Sequence, residues 1–366
     1  MLMANDAQHM ARAIQLARRG LYSTKPNPRV GAVLVKGKGI VGEGWHRIAG
    51  EAHAETLALF QAGEDAKGST CFVTLEPCNH QGKTGPCTDA LISAGVKRVV
   101  FGQEDPNPIN AGAGIERLRE AGVEVDGPLM EADCRELNPG FNLRMTQGRP
   151  FVRIKMAMSL DGRTAMPDGD AFWITGPKAR ADVQQWRARS CAVVSGWRSI
   201  DRDEARMTVR AEEVDDINEY WTGRQPLRVV LDSHLNLPQS ARFFDELDAT
   251  WLIANLEKDE QHERGSLIRF NQVEGRVDLR ELLKYLADQQ INEVLVEAGP
   301  TLAGAFLRRG LVDEMVLYVA PKLMGSGSRP LFDLPLQQMV EALPLHYREI
   351  RYFGQDIRIL ASLETD

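Results

Sequence analysis

Apolar and polar residues along this chain repeat in two periods, and the changes between them outline its elements. Ala7, Met10, Ala11, Ile14 and Ala17 recur at three- and four-residue spacing, which predicts an amphipathic helix ending near Gly20. The apolar run at residues 30–35 predicts a short strand, and Gly37 and Gly39 turn the chain into a second strand around Ile40 and Val41. A helix follows from His53 through Phe60, then a buried strand over 71–75 and a helix over 88–94. Strand 99–101, helix 115–121 and strand 123–125 complete the series. Such alternation predicts a three-layer α/β/α domain, a sheet with helices on both faces.

Breakers at Asn138-Pro139-Gly140 and at Gln147-Gly148-Arg149-Pro150 suggest a boundary near residue 147, giving domains 1–147 and 148–366. Beyond it the pattern predicts a strand at 151–157, a helix at 177–189 and strands at 192–194, 227–231 and 251–254. A helix at 279–289, a strand at 293–296, a helix at 302–308 and a strand at 315–319 follow, which describes a second α/β domain.

With 366 residues, 43% of them hydrophobic, the chain can build two cores. Its formal net charge of −7 and dispersed basic residues would repel a polyphosphate backbone, so a nucleic-acid partner is disfavoured while a local pocket for one or two phosphates is not. No apolar run reaches the length of a membrane span, and the first residues lack the basic and apolar stretches of a signal peptide. A soluble, cytoplasmic protein with no membrane partner is expected. Five cysteines, an odd number without regular spacing, fit a reducing compartment where thiolates stay available for metal.

His53-Ala54-Glu55, then Pro77-Cys78, then Cys87 supply three zinc ligands and one carboxylate that need not be a ligand. Structural zinc sites are closed by four protein ligands, whereas hydrolytic sites keep one position for a water whose pKa the metal lowers. A lone His at a helix start is ordinarily solvated and lone cysteines are ordinarily small core residues. Here the His-x-Glu and Pro-Cys requirements are met in order, so the set reads as a zinc deaminase site with Glu55 shuttling the proton from water to the leaving amine.

The stretch Thr74-Leu75-Glu76-Pro77-Cys78-Asn79-His80-Gln81-Gly82-Lys83-Thr84-Gly85-Pro86-Cys87 resembles the bifunctional deaminase/reductase family of riboflavin biosynthesis, in which the usual two-residue gap between cysteines is widened to eight. That resemblance implies a cytidine-deaminase-like first domain. It also implies that Asn27, His46, Glu55, His80 and Lys83 contact an aminopyrimidine nucleotide, His80 and Lys83 adding cationic and hydrogen-bonding groups suited to a ribose 5-phosphate.

The block from Lys155 to Ala165, with Trp173-Ile174-Thr175, is similar to the reductase half of the same family and implies a dihydrofolate-reductase-like second domain. The glycine-rich turn after strand 293–296 opens a helix whose free N–H groups suit a pyrophosphate, with Pro300 at a favourable first position. By resemblance, NADPH is held by Ala157, Trp173, Ser199, Asp203, Ser233 and the turn of Gly299, Pro300, Thr301, Leu302, Ala303, Gly304 and Ala305. Arg187, Met207, Arg210 and Glu297 would meet substrate phosphate and ribose, the arginines gripping phosphate oxygens and Glu297 accepting ribosyl hydroxyls. Lys155 and Asp161 are the candidate proton donors for the hydride step.

Two departures from the family stand out. Ala171 replaces a serine whose hydroxyl is expected to bond the substrate, a loss of ~0.5–1.5 kcal/mol. Ala205 replaces a proline, which is expected to loosen the loop after Asp203. The implied activity is deamination of 2,5-diamino-6-ribosylamino-4(3H)-pyrimidinone 5′-phosphate with zinc, then reduction of its ribosyl group with NADPH, in a homodimer or larger assembly. The competing readings are a nucleic-acid base deaminase, opposed by the acidic charge and the Glu-Ala-Gly-Pro-Thr turn, and a regulatory protein with structural zinc, which would not need Glu55.

Overall fold

A computed structural model of the chain describes residues 5–81, 85–171, 173–213, 221 and 223–363, which fall mainly into two units divided between Gly148 and Arg149. The first runs α1 (Asp6–Arg18), β1 (Gly31–Lys36), β2 (Gly39–Trp45), α2 (Ala54–Ala62), β3 (Thr70–Val73), α3 (Cys87–Ser93), β4 (Arg98–Phe101), α4 (Ala113–Glu120), β5 (Glu124–Asp126), α5 (Glu131–Leu137) and α6 (Pro139–Gln147). Its sheet has the order β2-β1-β3-β4-β5, antiparallel on either side of β1 and parallel from β3 to β5.

The pleat of these strands produces the three layers expected from their alternation. Ala32, Leu34, Cys71, Val73 and Val99 face one way and pack with Ala54, Ala58, Leu91 and Leu118 of α2, α3 and α4. Val33, Val35, Phe72 and Val100 face the other way, against Met10 and Ile14 of α1 and Leu137 of α5. Helix α2 lies directly on the backbone of β2: a Cβ at Gly42 would sit 2.2 Å from Ala58 O, and one at Gly44 2.3 Å from Ala54 O. That close approach fixes where α2 begins, and hence where His53 and Glu55 stand.

Helices α5 and α6 were not foreseen, because Asn138-Pro139-Gly140 reads locally as a break. Pro139 in fact occupies a first-turn position of α6, where a missing N–H costs nothing. Asn138 exchanges hydrogen bonds with the Arg29 backbone at 2.7 and 2.9 Å, tying the segment into the first unit.

The second unit continues with β6 (Phe151–Ser159), β7 (Arg163–Ala165), α7 (Pro177–Arg189), β8 (Ala192–Gly196), α8 (Trp197–Arg202), β9 (Leu227–Leu231), β10 (Trp251–Asn255), β11 (Glu260–His262), β12 (Gly265–Arg269), β13 (Gln272–Val273) and β14 (Arg276–Val277). It ends with α9 (Leu279–Asp288), β15 (Glu293–Glu297), α10 (Pro300–Arg308), β16 (Glu314–Ala320), β17 (Arg329–Pro330), β18 (Leu345–Phe353) and β19 (Asp356–Leu363). A ten-stranded sheet has the order β11-β12-β10-β9-β8-β15-β6-β16-β19-β18. From β12 to β16 neighbouring strands are parallel, so the carboxyl ends of β6, β8, β9 and β15 share one rim. Ligands of open α/β sheets bind outside that rim. Among the described residues, no helix is long and apolar enough to cross a membrane.

Candidate functional site

In the first unit, His53 caps α2 with extended backbone and no side-chain capping bond, so its ring is left for other partners. Cys78 follows β3, and Cys87 is the first residue of α3. One donor atom from each of the three residues lies within 4.8 Å of the others, the only such group among the described residues. His53 Nδ1 is 3.2 Å from Cys87 Sγ and 3.5 Å from Cys78 Sγ. Zinc bonds of ~2.0–2.3 Å place tetrahedral donors roughly 3.3–3.8 Å apart, so these residues fit a zinc ion with one position open.

Glu55, in the first turn of α2, is 3% exposed. Burial pushes its carboxyl up to about 7, with Cys78 adding to the rise and His53 opposing it. Hydrogen bonds from Cys87 and His53 favour the thiolate of Cys78 and draw it to about 4 against the effect of burial. His46 stands edge-on to His53, ring centroids 5.3 Å apart. Its Nδ1 contacts the carbonyl of Ala52 at 3.2 Å, and Nε2 contacts Asn27 Nδ2 at 3.1 Å. A carbonyl only accepts, so Nδ1 carries the hydrogen and Nε2 accepts from Asn27. Burial lowers the His46 pKa and keeps the ring neutral.

Asn27, His46 and Glu55 therefore gather at the three ligands. His80 is exposed on the loop beyond Cys78. Lys83 lies outside the described residues.

Sequence reasoning missed what holds this arrangement. The buried Glu76 carboxylate accepts four backbone N–H bonds, from Gly114 and Ile115 at 2.9 and 3.3 Å and from Gly112 and Asp105 at 3.0 and 3.1 Å. It thus sits at the N-terminus of α4, where an anion is stabilised. Gly114 must be glycine, since a Cβ there would lie 2.0 Å from Pro77 O. Asn110 Oδ1 accepts from Asn79 N at 2.7 Å, and its amide donates to Asp105 at 3.2 Å. Glu76 stood inside the recognised block without a role; nothing local marked Asn110.

In the second unit, Lys155 and Glu297 are register partners on β6 and β15, 3.9 Å apart. Arg187 grips Glu297 with two hydrogen bonds of 2.6 and 3.0 Å. Burial opposes ionisation of Glu297, but Arg187 outweighs it and the carboxyl falls below its usual range. Burial lowers the Lys155 pKa, opposed by Glu297 and Asp203. Burial raises the Asp203 carboxyl, opposed by Arg202 and Lys155. Ser199 is beside the Gly299 turn, a Cβ at Gly299 lying 4.0 Å from its Oγ. Ser233 follows β9 and Ala157 lies on β6, at the same rim.

Other assigned residues have different surroundings from those expected. Ala303, Gly304 and Ala305 are buried, leaving Gly299, Pro300, Thr301 and Leu302 at the accessible end of α10. Met207 packs its side chain in the core at φ 58°, so only its backbone is left for a ligand. Arg210 is paired with Glu213 at 2.6 and 2.9 Å. Trp173, 53% exposed at φ 55°, gives its carbonyl to Lys322 Nζ at 2.8 Å and its ring to Arg180, 3.9 Å above the centroid. Ala171 is exposed. The loop at Ala205 is tied, not loosened: its N–H donates to Ile200 O at 3.0 Å, a bond that a proline could not make.

Asp161 is held in its ionised, accepting form. It accepts from Ser159 Oγ at 2.5 Å, Met324 N at 3.0 Å and Gly325 N at 2.8 Å, and these bonds hold its carboxyl down at about 2. The 206–210 loop is strapped by residues that no motif had marked. Gln225 bonds both Val209 N and O at 2.7 and 3.1 Å, Gln184 accepts from Arg210 N at 3.1 Å, and Arg228 donates to Arg206 O at 3.2 Å.

Comparison with known proteins places both halves. The family model described as RibD C-terminal domain matches residues 150–359, and the cytidine and deoxycytidylate deaminase zinc-binding region matches residues 3–103. The chain is 47% identical over 358 residues to riboflavin biosynthesis protein RibD of Escherichia coli (strain K12), covering 96% of this chain and 98% of that one. It is 43% identical to the Haemophilus influenzae protein of the same name, over 97% of each. Among solved structures it is similar to Acinetobacter baumannii RibD, form 1, with a TM-score of 0.91 and 42% identity over 99% of both chains. A Thermotoga maritima diaminohydroxyphosphoribosylaminopyrimidine deaminase/5-amino-6-(5-phosphoribosylamino)uracil reductase gives 0.86 and 32% over 98% of each.

Proposed function

Since this chain belongs to the RibD family of riboflavin biosynthesis proteins, we propose that His53, Cys78 and Cys87 hold its zinc ion and that Glu55 moves the proton of its first reaction. The chain is a bifunctional enzyme. Its zinc-dependent half deaminates 2,5-diamino-6-ribosylamino-4(3H)-pyrimidinone 5′-phosphate, and its NADPH-dependent half reduces the ribosyl side chain to ribityl.

The zinc ion supplies Lewis acidity that activates the attacking water. Glu55 takes a proton from that water and passes it to the leaving amine, a task suited to a carboxyl poised near 7. Asn27 and the fixed neutral tautomer of His46 line the pyrimidine side, and the family resemblance assigns His80 and Lys83 to the phosphoribosyl end. The observation that carries this reading is the buried Glu55 beside three ligand atoms within 4.8 Å of one another.

NADPH supplies the hydride of the second step. Ala157, Trp173, Ser199, Asp203, Ser233 and the accessible first turn of α10 hold it against the carboxyl rim of the sheet. Arg187, Met207, Arg210 and Glu297 receive the substrate, and Arg187 exchanges its bond with Glu297 for phosphate oxygens. Lys155 is left as the nearest ammonium to that carboxylate. The protein acts in the cytoplasm on a small phosphorylated pyrimidine, without nucleic acid or membrane, as a homodimer or larger assembly.

Purified chain given the diaminopyrimidine nucleotide releases ammonia when zinc-loaded, and then oxidises NADPH. Absence of ammonia release with zinc present sinks the first assignment; absence of NADPH oxidation after deamination sinks the second. Glu55→Ala retains zinc and loses deamination by a factor of ~10²–10⁴.

A further inference from the structure

Arg202, the last residue of α8, lays its guanidinium on the backbone of Gly169. Gly169 has φ 93°, and a Cβ built on it would fall 1.7 Å from Arg202 Nη2, 2.4 Å from Cζ and 2.5 Å from Nη1. The guanidinium therefore fills the space that a side chain at 169 would take. The turn beneath it is closed by Met166 N, which donates to Asp170 O at 2.7 Å, and by Gly169 N, which donates to Met166 O at 2.8 Å. Surface arginines ordinarily reach into water; this one is seated in a slot.

The slot adjoins residues assigned to the second reaction. Ala171 is two residues beyond Gly169 and so within about 7 Å of it, and it is the position where the expected hydroxyl is missing. Asp203 follows Arg202 directly, and its carboxyl feels both Arg202 and Lys155, the ammonium 3.9 Å from Glu297. Three other guanidiniums of the unit are engaged: Arg187 by Glu297 at 2.6 and 3.0 Å, Arg210 by Glu213 at 2.6 and 2.9 Å, and Arg180 by the Trp173 ring. Among the described residues, Arg202 donates no hydrogen bond and closes no ion pair. Its five donors, in a planar fork, are left for a ligand, and a fork of that shape matches two oxygens of a phosphate.

We propose that Arg202 is a further substrate-binding residue of the reductase half, its guanidinium moving from Gly169 to grip the phosphate of the deaminated nucleotide and so supplying affinity that Ala171 does not give. Arg187 must release Glu297 to take a phosphate, whereas Arg202 gives up only its packing on Gly169. This deepens the reading in which Ala171, Arg187 and Glu297 receive the substrate, and it rests on that reading.

Reductase kinetics of the full, zinc-loaded chain with the deaminated nucleotide and with its dephosphorylated nucleoside test the assignment. Arg202→Ala is expected to raise the KM for the nucleotide about 10- to 100-fold, the worth of charge-assisted hydrogen bonds, while the KM for the nucleoside and the dissociation constant of NADPH, titrated by fluorescence, stay at their wild-type values. Arg202→Lys, which keeps the charge and loses the fork, falls between. An unchanged nucleotide KM overturns the proposal, as does an equal rise for nucleotide and nucleoside, which would make Arg202 a strap for the Gly169 turn and nothing more. Arg187→Ala separates this from the reading beneath it: wild-type KM values in that variant remove the substrate placement itself, whereas a weakened Arg187→Ala beside an unaffected Arg202→Ala removes Arg202 alone.

Discussion

Thr88 Oγ1 donates a 2.9 Å hydrogen bond to Asn79 Oδ1, and that contact fastens the residue after Cys78 to the residue after Cys87. Thr88 N also donates to Cys78 O at 3.2 Å. Together they close the long gap between the two cysteines, which a short gap would close by chain geometry alone. Bonds behind metal ligands typically tune affinity by 10–100-fold. Thr88→Val, which keeps the shape and loses the hydroxyl, is expected to weaken zinc binding about 10-fold in a chelator competition, with Thr88→Ser near wild type. Wild-type affinity in Thr88→Val would show that the bond does not position Cys78.

Asp105 sets a pH dependence of stability. Burial, with Glu76 nearby, raises its carboxyl to about 6 despite bonds from Asn107 and Asn110. The folded chain therefore holds this proton more tightly than the unfolded chain, where the value is ~3.9. The contribution is full below pH ~4 and is lost as pH rises through about 6, up to ~3 kcal/mol. In denaturant titrations across that window, the stability of the wild type relative to Asp105→Asn should fall as pH rises, by up to ~3 kcal/mol; a pH-independent difference refutes the assignment.

Gln225 holds the loop that carries Met207 and Arg210 through both polar groups of Val209. Gln225→Leu leaves that N–H and C=O unpaired, a loss of ~1–3 kcal/mol. The reductase KM for the deaminated nucleotide should rise about 10-fold, with the KM for NADPH and the deaminase rate unchanged. An equal rise in both KM values would mean that the whole unit had loosened.

Asp161 secures the Met324 and Gly325 backbone. Asp161→Asn keeps acceptor oxygen and is expected to cost reductase less than ~10-fold in kcat, with the pH profile unmoved. A loss of a thousandfold or more, with the acidic limb of the profile gone, would reinstate it as the acid.

Much of the first unit was legible because its signals are local. Helix α1, read from Ala7, Met10, Ala11, Ile14 and Ala17, shows its period within a few turns. The order of His53, Glu55, Cys78 and Cys87 likewise specified a chemistry, since each residue type is required by it. Helices α5 and α6 were illegible because Pro139 breaks a helix in its interior and favours one at its start, and only the Arg29 contacts decide between these. β18 escaped because its bulge interrupts the two-residue period at Arg348.

By itself, the sequence singled out a candidate zinc ligand set, a carboxylate beside it and the sheet-and-helix alternation of both halves, because spacing and residue type carry that information directly. Tertiary structure alone decided that Glu76 and Asn110 brace the Cys78 turn, that Arg187 is bound to Glu297, and that Asp161 ties a loop. Those roles belong to partners dozens of residues apart, brought together by the packing of sheets and helices. Whether a carboxyl sits near 7, as at buried Glu55, or near 2, as at the hydrogen-bonded but uncovered Asp161, depends on the solvent and donors that folding leaves around it.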